Sequence, residues 1–193
     1  MIELPVHPLL TGIPRERVLC FTGHRPEALP EPAKLPYMLN MLHELINEAV
    51  AKGYTHFYTG LADGLDYYAA EYLFQLRQSN PSIVVIGVQP CVKYREFFEK
   101  RGYSLARLEY MLSNADGIVT LPPPAANADA FRKRNAYMVD RSGAIIAVYK
   151  KAGRGSGSSS TYRYATQKGI ARCRICLEKE ISYGKWDVER VGF

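Results

Sequence analysis

Short apolar runs rich in β-branched residues alternate along this chain with longer stretches whose apolar residues recur at helical spacing. The runs RVLCFTG (17–23), SIVVIGVQP (82–90) and GAIIAVYK (143–150) are nearly continuous in apolar character, which is typical of strands buried on both faces. The stretches 35–53 and 65–76 carry apolar residues three and four positions apart, which indicates amphipathic helices. Strands that alternate with helices in this way favour a parallel sheet over an antiparallel one.

The full order of elements predicts the fold. Strands are expected at 17–23, 55–60, 82–90, 115–121, 143–150 and around 174–177, and helices at 35–53, 65–76, 94–113 with a break at Gly102, 129–142 and 161–167. The sequence therefore predicts an α/β, Rossmann-like three-layer domain with a mostly parallel sheet and helices on both faces. One domain over residues 1–193 is expected, with 1–16 as an N-terminal extension and 178–193 as a C-terminal tail.

Charge and cysteine content narrow the classes of function. The formal net charge of +6 favours anionic partners such as nucleotides or nucleic acid. No apolar run is long enough to cross a bilayer and the N-terminus does not resemble a signal peptide, so a cytoplasmic protein without membrane contact is expected. Cys173 and Cys176 have CxxC spacing, but residues three apart on a strand point to opposite faces. Buried free thiols are therefore predicted, and no metal site.

A ligand site is expected at the carboxyl ends of the strands, where helices begin. The loop after the first strand reads TGHRP. In it Thr22 offers a hydroxyl, Gly23 permits close approach of the backbone, and Arg25 can fork onto a phosphate. His24 can hydrogen-bond a base or ribose or act as an acid or base, and a half-buried structural histidine accounts for it equally well.

The loop after the second strand reads TGLADGLD. Its residues Gly60, Ala62 and Gly64, with Asp63 in the same turn, keep the strand-to-helix connection free of bulk, so that helix N-terminal amides can face an anion. Asp66 falls in the first helical turn. Its negative charge interacts favourably with the helix dipole there, which is the simpler explanation for an acid at this position. The alternative is that its carboxylate accepts a hydrogen bond from a ribose hydroxyl. The segment matches neither a Walker A loop nor GxGxxG.

The third candidate segment is a basic helix. Arg132, Lys133, Arg134 and Arg141 place four cations on the stretch 129–142. Such a run is usually a solvated helix face, but Arg134 and Asn135 also offer forked donors for a phosphate and a base.

The fourth segment is the Gly/Ser-rich loop KKAGRGSGSSSTYRYATQKG (150–169). Composition alone describes a flexible linker. Its place between a buried strand and a short helix that begins near Ser160 or Thr161 favours a loop whose amides and hydroxyls contact phosphate oxygens.

These four segments, taken in order, resemble the SLOG superfamily, which joins the DNA-processing protein DprA (Smf) with the Lonely Guy proteins. The similarity extends over residues 18–176 and is greatest to the YpsA-like branch of bacterial proteins. It implies a Rossmann-like fold and a pocket for a nucleotide or nucleotide-derived ligand, closed by Gly157, Ser158 and Thr161. Superfamily members often pair through helices, so the resemblance also implies a homodimer.

One difference from the Lonely Guy enzymes bears on catalysis. Those phosphoribohydrolases carry a PGGxGTxxE motif, and if Ser156 and Gly157 replace its Gly-Gly pair, Arg163 stands in place of the catalytic glutamate. A guanidinium cannot act as a base. Ser156 also replaces a glycine of the GGT pattern usual in the YpsA-like branch. An alignment shifted by one residue within the loop keeps the hydrolase alternative open.

The leading hypothesis is binding of a nucleotide-type ligand at the carboxyl edge of the sheet, by a sensor or regulatory protein that needs no other cofactor. A nucleotide N-glycosidic or phosphoester hydrolase is the first alternative, with Asp66 or Glu71 as the carboxylate and His24 as acid or base. Single-stranded nucleic-acid binding of the DprA kind is the second. Its phosphate contacts would come from basic side chains and its stacking faces from tyrosines, namely Arg132, Lys133, Arg141, Arg154, Arg163, Tyr162 and Tyr164.

Overall fold

The computed structural model describes residues 6–151 and 157–193. The strands are β1 Val18–Gly23, β2 His56–Thr59, β3 Val84–Gln89, β4 Gly117–Thr120, β5 Ala144–Tyr149, β6 Ala171–Ser182 and β7 Lys185–Val191. The α-helices are α1 Leu35–Ala51, α2 Leu65–Ser79, α3 Tyr94–Arg101, α4 Leu105–Asn114, α5 Ala128–Asp140 and α6 Gly157–Gln167. No helix of the described ranges is both long enough and apolar enough to span a membrane.

All the strands form one sheet in the order β4-β3-β2-β1-β5-β6-β7. Neighbours from β4 to β6 pair in parallel, and β7 pairs antiparallel with β6. The chain adds strands outward from β1 to β4 and then returns to place β5 on the other side of β1. Because the direction of winding reverses there, the loops after β1 and β5 diverge and leave a crevice at the carboxyl edge.

Two apolar cores cover the two faces of the sheet. In β1, Leu19 and Phe21 face the core that contains α1 to α4, whereas Val18 and Cys20 face the core that contains α5 and α6. This alternation along a fully buried strand follows from the two-residue period of β structure. The predicted three-layer α/β fold with helices on both faces is confirmed.

Two element boundaries follow from local backbone signals. The stretch 94–113 divides at Gly102, which ends α3 with a left-handed φ of 66°, and Ser104 caps α4 by accepting a hydrogen bond from the Arg107 amide. Helix α6 begins at Gly157, three to four residues before the predicted start near Ser160 or Thr161. A Gly/Ser composition disfavours helix in isolation, so only packing against the neighbouring elements permits this first turn.

Residues 178–193, set apart above as a tail, are part of the sheet. Strand β6 continues to Ser182, and a two-residue turn with Gly184 at a φ of 69° leads into β7. The segment is rich in charged residues because it lies at the sheet edge, and this hides its strand pattern in the sequence. Trp186 of β7 is buried in the core on the α1 side.

Truncation of this tryptophan tests the contribution of the hairpin to stability. Trp186→Ala removes a large buried side chain, and we expect the free energy of unfolding to fall by about 3–5 kcal/mol in denaturant titrations. Val191→Ala, at a half-exposed position of the same strand, should change it by less than about 0.5 kcal/mol. Equal, small effects of both variants would show that β7 adds little to the fold.

Candidate functional site

A cleft with a volume of about 230 Å³ lies at the carboxyl edge, where the loops after β1 and β5 diverge. Its walls come from the end of β1 and the loop after it, the turn and first residues of α2, helix α5 and the first turn of α6. Ten of the predicted site residues line it: Thr22, Gly23, His24, Arg25, Ala62, Asp66, Arg134, Asn135, Gly157 and Ser158. Three further lining residues are apolar, namely Phe21, Phe131 and Met138.

The backbone and side chain of His24 hold the cleft entrance together. Its amide donates to the Val148 carbonyl, and its carbonyl accepts from the Leu65 amide at the start of α2. Its ring Nε2 accepts from the Lys150 amide at 2.8 Å. Burial lowers the pKa of His24. A neutral ring that accepts through Nε2 carries its proton on Nδ1, so His24 is a hydrogen-bond donor at that atom.

A buried ion pair forms the floor of the cleft. Arg134 of α5 donates to the Gly60 carbonyl, and its Nη1 lies 3.9 Å from Oδ2 of Asp66. Asp66 accepts from the Ala62 amide at 3.3 Å. Burial raises the pKa of Asp66 and lowers that of Arg134, and each partner opposes the effect on the other.

The floor is packed without spare room at Gly60 but leaves one polar atom unpaired. A Cβ at Gly60 would overlap the Arg134 guanidinium, so the close approach of α5 to this turn requires glycine. Arg134 is 95% buried, and its Nε has no hydrogen-bond partner among the described residues. A buried N–H of a charged group without a partner is costly, and a bound ligand is one way to satisfy it.

Helix α6 begins at the rim of the cleft. The Ser158 hydroxyl donates to the Gly23 carbonyl at 2.8 Å, which fixes the first turn of α6 against the end of β1. Asn135 donates to the Thr161 hydroxyl at 2.8 Å, and Thr161 donates to the Gly157 carbonyl at 2.8 Å. Thr161 thus positions Asn135 rather than lining the cleft. The helix N-terminus lies beside the cleft and favours a negative charge there.

The sequence predicts that the amides of the turn before α2 face an anion, and the structure shows a different arrangement. The amides of Ala62, Gly64 and Leu65 donate to Asp66, Asp63 and the His24 carbonyl within the protein. The acidic side chains satisfy this turn internally, and no donor among these three remains for a ligand.

Asp63, Gly64 and Gly60 support the site from outside the cleft lining. Asp63 pairs with Arg107 at 2.9 Å and accepts from the Ser104 amide at 3.1 Å, so its carboxylate is directed to α4. Gly64 has a φ of 103° and contacts the backbone of the loop after β1. The side chain of Arg25 extends over the Tyr103 ring, 5.1 Å from its centroid.

The remaining basic residues of the stretch 129–142 lie away from the cleft floor. Arg132 and Lys133 are exposed and pair with Asp129 one turn earlier, and Arg141 stacks on the Tyr137 ring. Arg163 of α6 is also exposed. The positions Arg154 and Ser156 lie outside the described residues.

The cysteines are buried free thiols. Burial raises the pKa of Cys20 and Cys173 to about 12. Within the described ranges, no group of three or more His, Cys, Asp or Glu side chains is arranged to hold a metal ion.

A comparison with family models decides the relationship of the chain to known proteins. The model described as the YspA SLOG family matches residues 19–175. The chain belongs to this family. The resemblance to the YpsA-like branch of the SLOG superfamily is thereby confirmed. A comparison with curated proteins gives no match. Membership of the YspA SLOG family indicates nucleotide-related ligand binding or processing at the level of the family.

The lowered pKa of His24 gives a prediction about pH. Between the ordinary value of about 6.5 and the lower folded value, the unfolded chain binds a proton that the folded chain does not. The stabilisation due to neutral His24 is therefore complete above about pH 6.5 and is lost as the pH falls. The variant His24→Gln keeps an acceptor for the Lys150 amide but cannot titrate. Its free energy of unfolding should fall less than that of the wild type between about pH 7.5 and about pH 5.5.

His43 and His56 also have lowered pKa values and are present in both proteins. The difference between wild type and His24→Gln therefore isolates His24. Parallel pH profiles in urea titrations would contradict this role.

Gly64 gives a prediction about the turn. Gly64→Ala places a Cβ against the His24 carbonyl at a φ that only glycine adopts readily, and we expect a loss of about 3 kcal/mol in unfolding free energy. Gly102→Ala is the matched control, because Gly102 also has a positive φ but an added Cβ there would meet no atom of the described residues within 4 Å. It should cost about 1 kcal/mol. If Gly64→Ala and Gly102→Ala lose similar amounts of unfolding free energy, in thermal and in denaturant unfolding, the contact with His24 is unimportant.

Proposed function

We propose that the cleft binds a nucleotide or nucleotide-derived ligand through a phosphate group, in a protein that acts as a sensor or regulator. The observation that carries this proposal is Arg134, a buried guanidinium that lines the cleft with its Nε unpaired among the described residues. Arg134 lies next to the N-terminus of α6, which is the positive end of the helix dipole. The full charge of the guanidinium and the partial charge of the helix end therefore attract an anion to the same place.

The balance of charge in the cleft favours an anion. Arg25 and Arg134 both line it, and Asp66 is the one carboxylate in the lining formed by the described residues. Asp66 already accepts from the Ala62 amide and faces Arg134. The neutral His24 ring adds a donor at Nδ1. A phosphate group fits such a set of donors at a helix N-terminus.

The same geometry favours binding over hydrolysis. Asp66 would have to activate water or support an oxocarbenium-like centre, but it is held by an amide and paired with Arg134. Glu71, the other candidate carboxylate, accepts from the Tyr67 hydroxyl at 2.7 Å and does not line the cleft. Arg163 supplies no carboxylate. The contacts therefore support a ligand that is held without being cleaved.

Replacement of Arg134 by lysine tests the phosphate contact. Arg134→Lys keeps the positive charge near Asp66 but has no Nε donor, so we expect binding of AMP, ADP-ribose or NAD to weaken about tenfold or more by calorimetry, the size of one charged hydrogen bond. Arg95→Lys, at an exposed position on α3, is the matched control and should bind as the wild type does.

Two results would contradict the proposal. The first is that folded wild-type protein gives no calorimetric response or thermal shift with any phosphate-bearing ligand of this panel. The second is steady release of free base from the bound nucleotide, measured by chromatography and abolished by Asp66→Asn, which would establish the hydrolase alternative.

A further inference from the structure

A second cavity, of about 610 Å³, lies between α5 and α6 beside the cleft. The two share three lining residues, Phe131, Asn135 and Gly157, so they are continuous parts of one depression. We propose that this second cavity holds the heterocyclic base of a nucleoside phosphate whose phosphate occupies the cleft. This inference rests on the proposed function and adds to it the orientation and chemical class of the ligand.

The two cavities differ in chemistry. The cleft carries the charged and titratable side chains His24, Arg25, Asp66 and Arg134. The second cavity is lined mostly by small and aromatic residues, and among its described lining residues only Arg132 is charged, and it is exposed and paired with Asp129. A nucleoside phosphate has the same division, with a charged phosphate at one end and a planar, mainly apolar base at the other.

Two helical stripes build the second cavity. The lining residues recur once per helical turn, at Ala128, Phe131 and the adjacent pair Asn135 and Ala136 on α5. On α6 they recur in the same way, at Gly157, the adjacent pair Ser160 and Thr161, and Tyr164. The small members of each stripe leave the space between the helices unfilled. The aromatic members, Phe131 and Tyr164, offer rings of the kind on which bases stack.

Volume also separates the two sites. A cleft of about 230 Å³ is smaller than the usual range for a whole drug-sized ligand, about 300–1,000 Å³, whereas the second cavity lies within that range. Phe131 stands at the junction, since its ring also lies 5.7 Å from the Arg134 guanidinium carbon. A ligand with its phosphate at Arg134 would therefore pass Phe131 on its way into the larger space.

Asn135 is the residue placed to read the ligand between the two ends. Its Nδ2 donates to Thr161, which fixes the amide group and presents Oδ1 as an acceptor. The Ser160 hydroxyl on the opposite wall can donate or accept. A small number of polar groups, with the Asn135 amide held in place, suits recognition of a base edge or a sugar hydroxyl.

The test compares ribose 5-phosphate with AMP, two ligands that differ only by the base. In calorimetry we expect the wild type to bind AMP about tenfold or more tightly than ribose 5-phosphate, because of stacking and apolar contact. Ala136→Leu fills the second cavity from the α5 side. In this variant the AMP advantage should fall to about twofold or less while the affinity for ribose 5-phosphate stays unchanged.

The controls keep the result interpretable. Ala106→Leu makes the same change at an exposed position of α4 outside both cavities and should retain the AMP advantage. Ser160→Leu fills the same space from α6 and replaces Ala136→Leu if thermal unfolding shows that the latter does not fold.

The outcomes separate the two proposals. Equal binding of AMP and ribose 5-phosphate by the wild type, or an AMP advantage that survives both cavity-filling variants, overturns the base site but leaves phosphate binding in place. Failure of both ligands to bind overturns the proposed function and the base site together. Loss of self-association instead of AMP binding in Ala136→Leu, measured by sedimentation, would assign this space to a second copy of the chain and also overturn the base site.

Discussion

The contact between Arg134, Asp66 and the Gly60 carbonyl joins parts of the molecule that the sheet otherwise separates. Asp66 belongs to α2, which packs on one face, and Arg134 belongs to α5, which packs on the other. The pair meets at the carboxyl edge, past the end of β2. Because neither buried charge is tolerable alone, each fixes the position of the other's helix. The cleft exists where it does because both helices must reach this point.

Backbone hydrogen bonds complete the frame around this pair. The loop after β1 is bonded to β5 through the His24 amide and to α2 through the His24 carbonyl, and Ser158 bonds α6 to the last residue of β1. These hydrogen bonds thus hold the walls of the cleft in fixed positions. Such a rigid arrangement of donors can bind an anion without first paying to reorganise its own dipoles.

Much of this architecture follows from patterns that can be read in the sequence. Continuous β-branched runs and helical stripes predict the parallel sheet, and the rule that ligands bind at carboxyl ends selects four segments, three loops and a basic helix, whose described residues contribute to the cleft and its rim. The contact partners of individual side chains are harder to predict from the sequence. Asp63 and Asp66 lie three residues apart in one turn, yet one pairs with Arg107 of α4 and the other with Arg134 of α5. No local sequence pattern predicts these partners, because they depend on how distant segments pack together in the fold.

Each feature that the sequence patterns did not reveal has its own physical reason. Strand β7 lies at the sheet edge, where charged side chains are solvated. Its sequence therefore lacks the apolar run by which the buried strands are predicted. Phe131 and Met138 occupy helical positions that predict only a core-facing side, and the cleft is lined by part of that side. The second cavity arises from small residues on two helices 20 or more positions apart in sequence, such as Ala136 and Gly157. Its volume depends on how far apart α5 and α6 lie, and the hydrogen bond from Asn135 of α5 to Thr161 of α6 links the two helices across that distance.

This arrangement has a consequence for regulation under the proposed function. Arg134 on α5 and the first turn of α6 would both contact the ligand phosphate, while Asp66 links the same arginine to α2. A ligand anion would therefore share Arg134 with Asp66, and part of its binding free energy would depend on the relative positions of α2, α5 and α6. A protein that only stored a nucleotide would not need this coupling, whereas a sensor requires that ligand binding change the energy of contacts elsewhere in the fold.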